Sequence, residues 1–413
     1  MMIQEHELQK YAELAVKVGV NIQKGQLLVI NAPIVAKELV YKIAEIAFKN
    51  GARNVHVEWS DDEFTKVKYT YAPDEAFTEY PMWKAKGYEE MVEDGAAILS
   101  VLAPNPELLK DVDPKKVATA QKTAGQAMAK FREYIQADKV SWSIIAYPTK
   151  EWAEKVFPNE PNDKGIRKLW EAIMKATRID LPDPVSAWQK HQADLQQKVN
   201  YLNAKKYKKL HYKGPGTNLT IELPDKHLWC GGGGKNERGI PFMPNMPTEE
   251  VFTTPKKEGV NGTVASTKPL NYGGTIIDDF SFTFQDGKIV DFTAKQGYET
   301  LKQLINTDEG ARYLGEVALV PHESPISQTN LVFYNTLFDE NASCHIAIGS
   351  AYAFCLEGGK TMSKSELEKH GANSSIVHVD FMIGSDELNI DGETADGTLE
   401  PIFRNGNWAI EIK

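Results

Sequence analysis

Cysteine is scarce in this chain. Three residues, Cys230, Cys344 and Cys355, stand among 413, an odd number with no CxxC spacing. A disulfide framework is thereby excluded as the basis of the fold, and a reducing cytoplasm is the expected setting. Long apolar runs are missing too. No stretch approaches the roughly 20 apolar residues that span a bilayer, so no membrane is expected as a partner. Residues 1–8 carry Glu5 and Glu7 and lack the apolar segment of a signal peptide. Positive charge is in deficit, with 47 Lys and Arg against 57 Asp and Glu for a net charge of -10, and no basic stripe is interleaved with aromatics. That balance argues against nucleic acid as a partner. Internal repeats and low-complexity tracts are absent, as are a GxGxxG loop and a Walker lysine. No HExxH occurs, which excludes the single-zinc site of thermolysin type.

What is present is an ordinary globular mixture, 42% hydrophobic and 25% charged, with no bias towards disorder. Its length exceeds one ordinary core and points to two domains. In the first part, helical and strand patterns alternate. Helix is expected at residues 8–18, 36–50, 82–93 and 115–136, and strand at 25–31, 55–59, 96–102 and 140–146. Gly51 marks the end of the second helix. Strand–helix–strand units with short links imply right-handed crossovers and a mostly parallel sheet in a three-layer α/β domain. His56, Glu58, Asp61, Asp62 and Glu63 cluster near one strand end, where they read best as a solvated acidic loop.

The proline-rich stretch at 178–184 is the expected boundary, giving an N-terminal domain over 1–184 and a C-terminal domain over 185–413. Beyond a helix at 185–203 the texture changes to period-two strands and turns. Examples are 219–223, 280–284 with its Asp286-Gly287 turn into 289–292, and 401–410 around Asn405-Gly406. The second domain is therefore expected to be α+β with a mostly antiparallel sheet.

Its ionisable residues sit in apolar surroundings. His378 and Asp380 are two apart in the apolar run 376–383, so on a strand they face the same side. The pair suits a metal, and equally a buried hydrogen-bonded couple. Glu316 interrupts the apolar run 313–321, where an acid is costly unless paired or liganded. His345 opens another apolar stretch, with Glu340 five residues before it and Tyr352 seven after. Singly, these read as a core histidine, an acidic turn and a core aromatic. Glu249 and Glu250 follow Thr248, which is placed to cap a short helix. Cys230-Gly231-Gly232-Gly233-Gly234-Lys235 reads as a flexible loop. Together, two imidazoles and three carboxylates in one domain are the inventory of a two-metal hydrolase. A glycosidase-type carboxylate pair would leave both histidines unexplained.

The runs Asn245-Met246-Pro247-Thr248-Glu249-Glu250-Val251-Phe252-Thr253, Ala311-Arg312-Tyr313-Leu314-Gly315-Glu316-Val317-Ala318 and Asp339-Glu340-Asn341-Ala342-Ser343-Cys344-His345-Ile346-Ala347 resemble the aminopeptidase T, aminopeptidase S and PepS family of thermophilic-type metalloaminopeptidases. The resemblance covers the whole chain. It implies Glu250, Glu316, His345, His378 and Asp380 as metal ligands, Tyr352 as an active-site tyrosine, and Glu340 as a ligand or general base. It further implies two divalent ions per chain (zinc, cobalt or magnesium), peptide substrates with a free N-terminus, and a homodimer whose N-terminal domains restrict access. The implied mechanism is attack by a metal-bound hydroxide on the first peptide carbonyl. Tyr352 or a metal stabilises the oxyanion, and Glu316 or Glu340 shuttles the proton. Two other readings remain: another two-metal hydrolase of amidase or carboxypeptidase type, and a non-enzymatic binding protein with a buried polar network.

Overall fold

The computed structural model of the chain describes residues 3–109, 111–272 and 275–410. Met1 and Met2 of the opening segment lie outside them. The chain divides into two compact units, residues 1–190 with 233–247, and residues 191–232 with 248–413. The first is α/β and the second mostly antiparallel, as the sequence predicts.

The first unit is built on four parallel strands, β1 (Leu27–Pro33), β2 (Asn54–Ser60), β3 (Ala97–Leu102) and β4 (Trp142–Ala146), in the order β2-β1-β3-β4. Leu28, Val29 and Ile30 are buried in succession, as expected of a strand covered on both faces. Segment 233–247 joins this unit by running along β4. The Ile144 amide donates to the Pro244 carbonyl at 2.7 Å, and the Met246 amide to the Ile144 carbonyl at 3.0 Å. Two expectations change in detail. The helix expected over 115–136 is two helices, Pro114–Ala127 and Ala129–Gln136. Met128 between them leaves helical geometry, one turn after Gly125 weakens the first helix. The acidic cluster is not a loop: His56 and Glu58 lie on β2, where Glu58 pairs with Lys84 at 2.6 Å, while Asp61 caps the helix Asp62–Tyr71 and Asp62 and Glu63 form its first turn.

The second unit holds a nine-stranded antiparallel sheet and a five-stranded one. The five-stranded sheet places, side by side, strands His378–Met382, His345–Gly349, Leu314–Leu319, Val251–Thr253 and Cys230–Gly231. Every residue of Leu314–Leu319 and His345–Gly349 is buried. Alternate residues (Val251, Val317, Leu319, Ile346, Ile348 and Phe381) enter the hydrophobic core shared with Phe280, Phe282 and Ile390. One face of the sheet is thus committed to the core, and the other face carries the polar residues. Among the described residues, no helix is long and apolar enough to cross a membrane.

Candidate metal centre

Strand register decides which polar residues meet. Glu316 lies opposite Ala347, and Ala347 opposite Asp380, so the two carboxylates flank one small side chain on the same face. In the next row, Phe252, Ala318, His345 and Met382 lie in line. His378 is opposite Gly349. Ala318, Ala347 and Gly349 leave a hollow in the middle of the face, and the longer polar side chains fill it. The register needs a bulge between Leu314 and Glu316. Gly315 makes this bulge possible, because a Cβ there would lie 2.3 Å from the Ser350 carbonyl oxygen and 2.5 Å from that of Gly349.

Glu316 stands between the two histidines. Its Oε1 is 3.8 Å from His345 Nε2 and its Oε2 is 3.3 Å from His378 Nε2. Glu250 Oε2 lies 3.2 Å from His345 Nε2, and Asp380 Oδ1 lies 3.5 Å from His378 Nε2. Two ligand triads result, Glu250–Glu316–His345 and Glu316–His378–Asp380, with ligand atoms within 4.8 Å of one another in each. The five residues come from four segments far apart in sequence, the strand His378–Met382 supplying both His378 and Asp380. The helix expected after Thr248 does not form. Residues 248–250 run irregularly into strand Val251–Thr253, because the Glu249 amide is held at 2.7 Å by the buried Asn341 side chain. The glycine run is likewise partly ordered: Cys230–Gly231 is the edge strand beside Val251–Thr253, and Gly234–Lys235 pairs with Pro241–Phe242.

Both imidazoles are oriented from behind. His345 Nδ1 is 3.2 Å from the Ser343 carbonyl and His378 Nδ1 is 2.7 Å from that of Ser350. A carbonyl can only accept, so each Nδ1 carries a hydrogen and each Nε2 is turned into the site, where it would offer its lone pair to a metal once its own proton is shed. Asp380 Oδ1 is buried and makes no hydrogen bond among the described residues. Buried imidazole nitrogens with acidic oxygens, one of them without a hydrogen-bond donor, fit divalent cations.

The electrostatics agree. Burial pushes the Glu316 carboxyl up to about 7, helped by the negative charges of Asp380 and Glu250 and opposed by His378. Burial disfavours a charged His345, yet its hydrogen bond to Glu250 and the surrounding carboxylates carry it up to about 10. His378 is raised well above its ordinary value because Asp380 and Glu316 outweigh burial, and Asp380 is lowered because His378 does the same for it. Glu316 and the two histidines thus hold protons where cations would otherwise balance the charge.

Glu340 and Tyr352 border the triads. Glu340 begins the 3₁₀ turn Glu340–Ala342, with its Oε1 3.4 Å from Asn341 Nδ2. It lies outside both triads, but burial and the charges of Glu250 and Asp380 push its carboxyl well up. The Tyr352 ring centroid is 4.8 Å from that of His378 and 5.2 Å from that of Phe354. Burial, then the carboxylates, keeps its phenol protonated. Sequence reasoning missed Asn341, which is fully buried and links Glu340 to the Glu249 backbone, because an asparagine beside an acid in a turn carries no signal of its own.

The thermophilic metalloprotease (M29) family model matches residues 4–408. The chain belongs to that family. This M29 metalloprotease, a metal-dependent hydrolase of peptide bonds, is 60% identical over 408 residues to aminopeptidase 2 of Geobacillus stearothermophilus, with 99% of both chains covered. It is 44% identical over 406 residues to aminopeptidase T of Thermus thermophilus, covering 98% of this chain and 99% of that one. The solved structure of wild-type AmpT from Thermus thermophilus superposes with a TM-score of 0.93 at 43% identity, covering 98% of this chain and all of the other.

Proposed function

We propose that this metal-dependent aminopeptidase of the M29 family removes N-terminal residues from peptides with two divalent ions held by the paired triads. Glu250, Glu316 and His345 would hold one ion, and Glu316, His378 and Asp380 would hold the other. The observation that carries this reading is the placement of Glu316, with its two oxygens turned to two different histidines. An imidazole in each triad favours zinc or cobalt over magnesium. Ions held there lower the pKa of water and polarise the scissile carbonyl.

The protein groups supply the rest. Glu340, left out of both triads and raised in pKa, is suited to take a proton from water and deliver it to the leaving amine. Tyr352 keeps its proton beside His378 and donates a hydrogen bond to the developing oxyanion. The residue roles, a homodimer and a cytoplasmic setting form part of the same proposal, and sedimentation of the purified protein tests the dimer.

Removal of metal by exhaustive chelation is expected to abolish hydrolysis of an aminoacyl-anilide, with zinc or cobalt restoring it and metal analysis finding two ions per chain. N-acetylation of a peptide is expected to block its cleavage. Activity that survives chelation would sink the proposal, and cleavage of the acetylated peptide would turn it towards an amidase or carboxypeptidase.

A further inference from the structure

The row that holds His345 continues to the sheet edge, where Cys230 lies opposite Phe252. Against that edge packs the turn Ala353–Cys355, which follows Tyr352. Cys355 is buried and its Sγ is 4.0 Å from Sγ of the half-buried Cys230. The Leu228 amide donates to the Cys355 carbonyl at 2.8 Å, so the backbones on either side are already joined. Both are free thiols. We propose that Cys230 and Cys355 form an oxidation site that takes a hydroperoxide and closes to a disulfide, lowering peptidase activity by moving the Tyr352 turn.

Cys230 is half-buried and Cys355 buried, which assigns the first contact with peroxide to Cys230 and the resolving role to Cys355. Burial, and then Cys230 itself, keeps the Cys355 thiol protonated. In the first step a bond forms between the Cys230 sulfur and one peroxide oxygen while the O–O bond breaks. The alcohol, or water from hydrogen peroxide, leaves with the thiol proton, and Cys230 becomes a sulfenic acid. The Cys355 sulfur then attacks Cys230. The S–S bond forms, the S–O bond breaks, and hydroxide leaves as water with the Cys355 proton. Two thiols are oxidised by two electrons and one peroxide is reduced.

Closure draws Cys355 toward the sheet edge, and the adjoining turn follows. Tyr352 leads into that turn, stacks on Phe354, and meets both His378 and Phe252. Displacing it disturbs the site through the contact of Tyr352 with His378. The third cysteine, Cys344, does not take part. It is buried, with its Sγ donating to the Val320 carbonyl at 3.3 Å.

The test uses the full zinc-loaded chain treated with hydrogen peroxide, followed by alkylation under denaturing conditions, peptide mass mapping and an aminoacyl-anilide assay. Two of the three thiols are expected to escape alkylation as a Cys230–Cys355 linked peptide, with activity falling roughly tenfold or more, as small misplacements of a site cause. Dithiothreitol is expected to restore both. Cys230→Ser and Cys355→Ala are each expected to keep activity through the treatment. Three alkylatable thiols after peroxide, a linked peptide with unchanged activity, or equal inactivation of Cys230→Ser would each overturn the proposal.

Discussion

The carboxylate of Glu7 shows how much one buried charge can organise. It accepts from Arg167 Nη1 at 2.9 Å and Nη2 at 2.8 Å, from the Trp170 indole at 2.9 Å and from the Gln4 amide at 3.0 Å. Burial works against the ionised form, but these donors outweigh it and hold the carboxyl below the usual glutamate range. A carboxyl whose pKa is depressed by folding stabilises the fold above its unfolded value, and that stability is lost as pH falls through the folded value. Glu7→Ala is therefore expected to destabilise the first unit by about 3 kcal/mol at neutral pH. The cost should shrink as the medium is acidified below the unfolded value near 4.5. Urea titration at neutral and acidic pH checks this, and an unchanged difference at the two pH values would contradict it.

Between elements, the decisive feature is register. Ala347 is fully buried between Glu316 and Asp380 on the site face, while its neighbours Ile346 and Ile348 fill the core. Ala347→Leu is expected to place a branched side chain where the ligand atoms converge. Overpacking of this kind costs about 1–3 kcal/mol, which a folded unit can survive. The expected outcome is a folded protein with native circular dichroism that fails to retain metal on gel filtration. Normal metal retention would show that the hollow is not what the small residues provide. Much of the arrangement was legible in the residues. The alternation that turns His378 and Asp380 to one side, and the anomaly of an acid in the run around Glu316, are local patterns. Their partners were not legible, because pairing of Glu316 with Ala347 and Asp380 depends on contacts between distant strands and on a bulge at Gly315. Thr248 misled for the same reason: a local capping signal lost to the Asn341 side chain, 92 residues away where Glu249 is held. The joining of segment 233–247 to β4 left no local trace either.

At the scale of the whole molecule, two units with cores of their own share one chain. All five residues of the triads belong to the second unit, so ions bound as proposed would stabilise that unit by mass action and leave the first without direct support. Ligands must also shed the protons that His345 and Glu316 hold, at about 10 and about 7, so metal affinity is expected to rise with pH through this range. In calorimetry, chelation is expected to lower one unfolding transition by several degrees and leave the other in place, whereas Glu7→Ala should move the other. A single transition that shifts equally with both treatments would show that the two units unfold as one.

The hollow at Ala318, Ala347 and Gly349 has a consequence for judging related chains. None of the three has an ionisable side chain, yet each faces a triad residue across the sheet, Ala318 facing His345, Ala347 facing Glu316 and Asp380, and Gly349 facing His378. A relative that keeps every acid and imidazole but carries a bulkier residue in this stripe would look competent by its ligands and be unable to assemble them. Competence in this fold is written in the missing atoms as much as in the reactive ones.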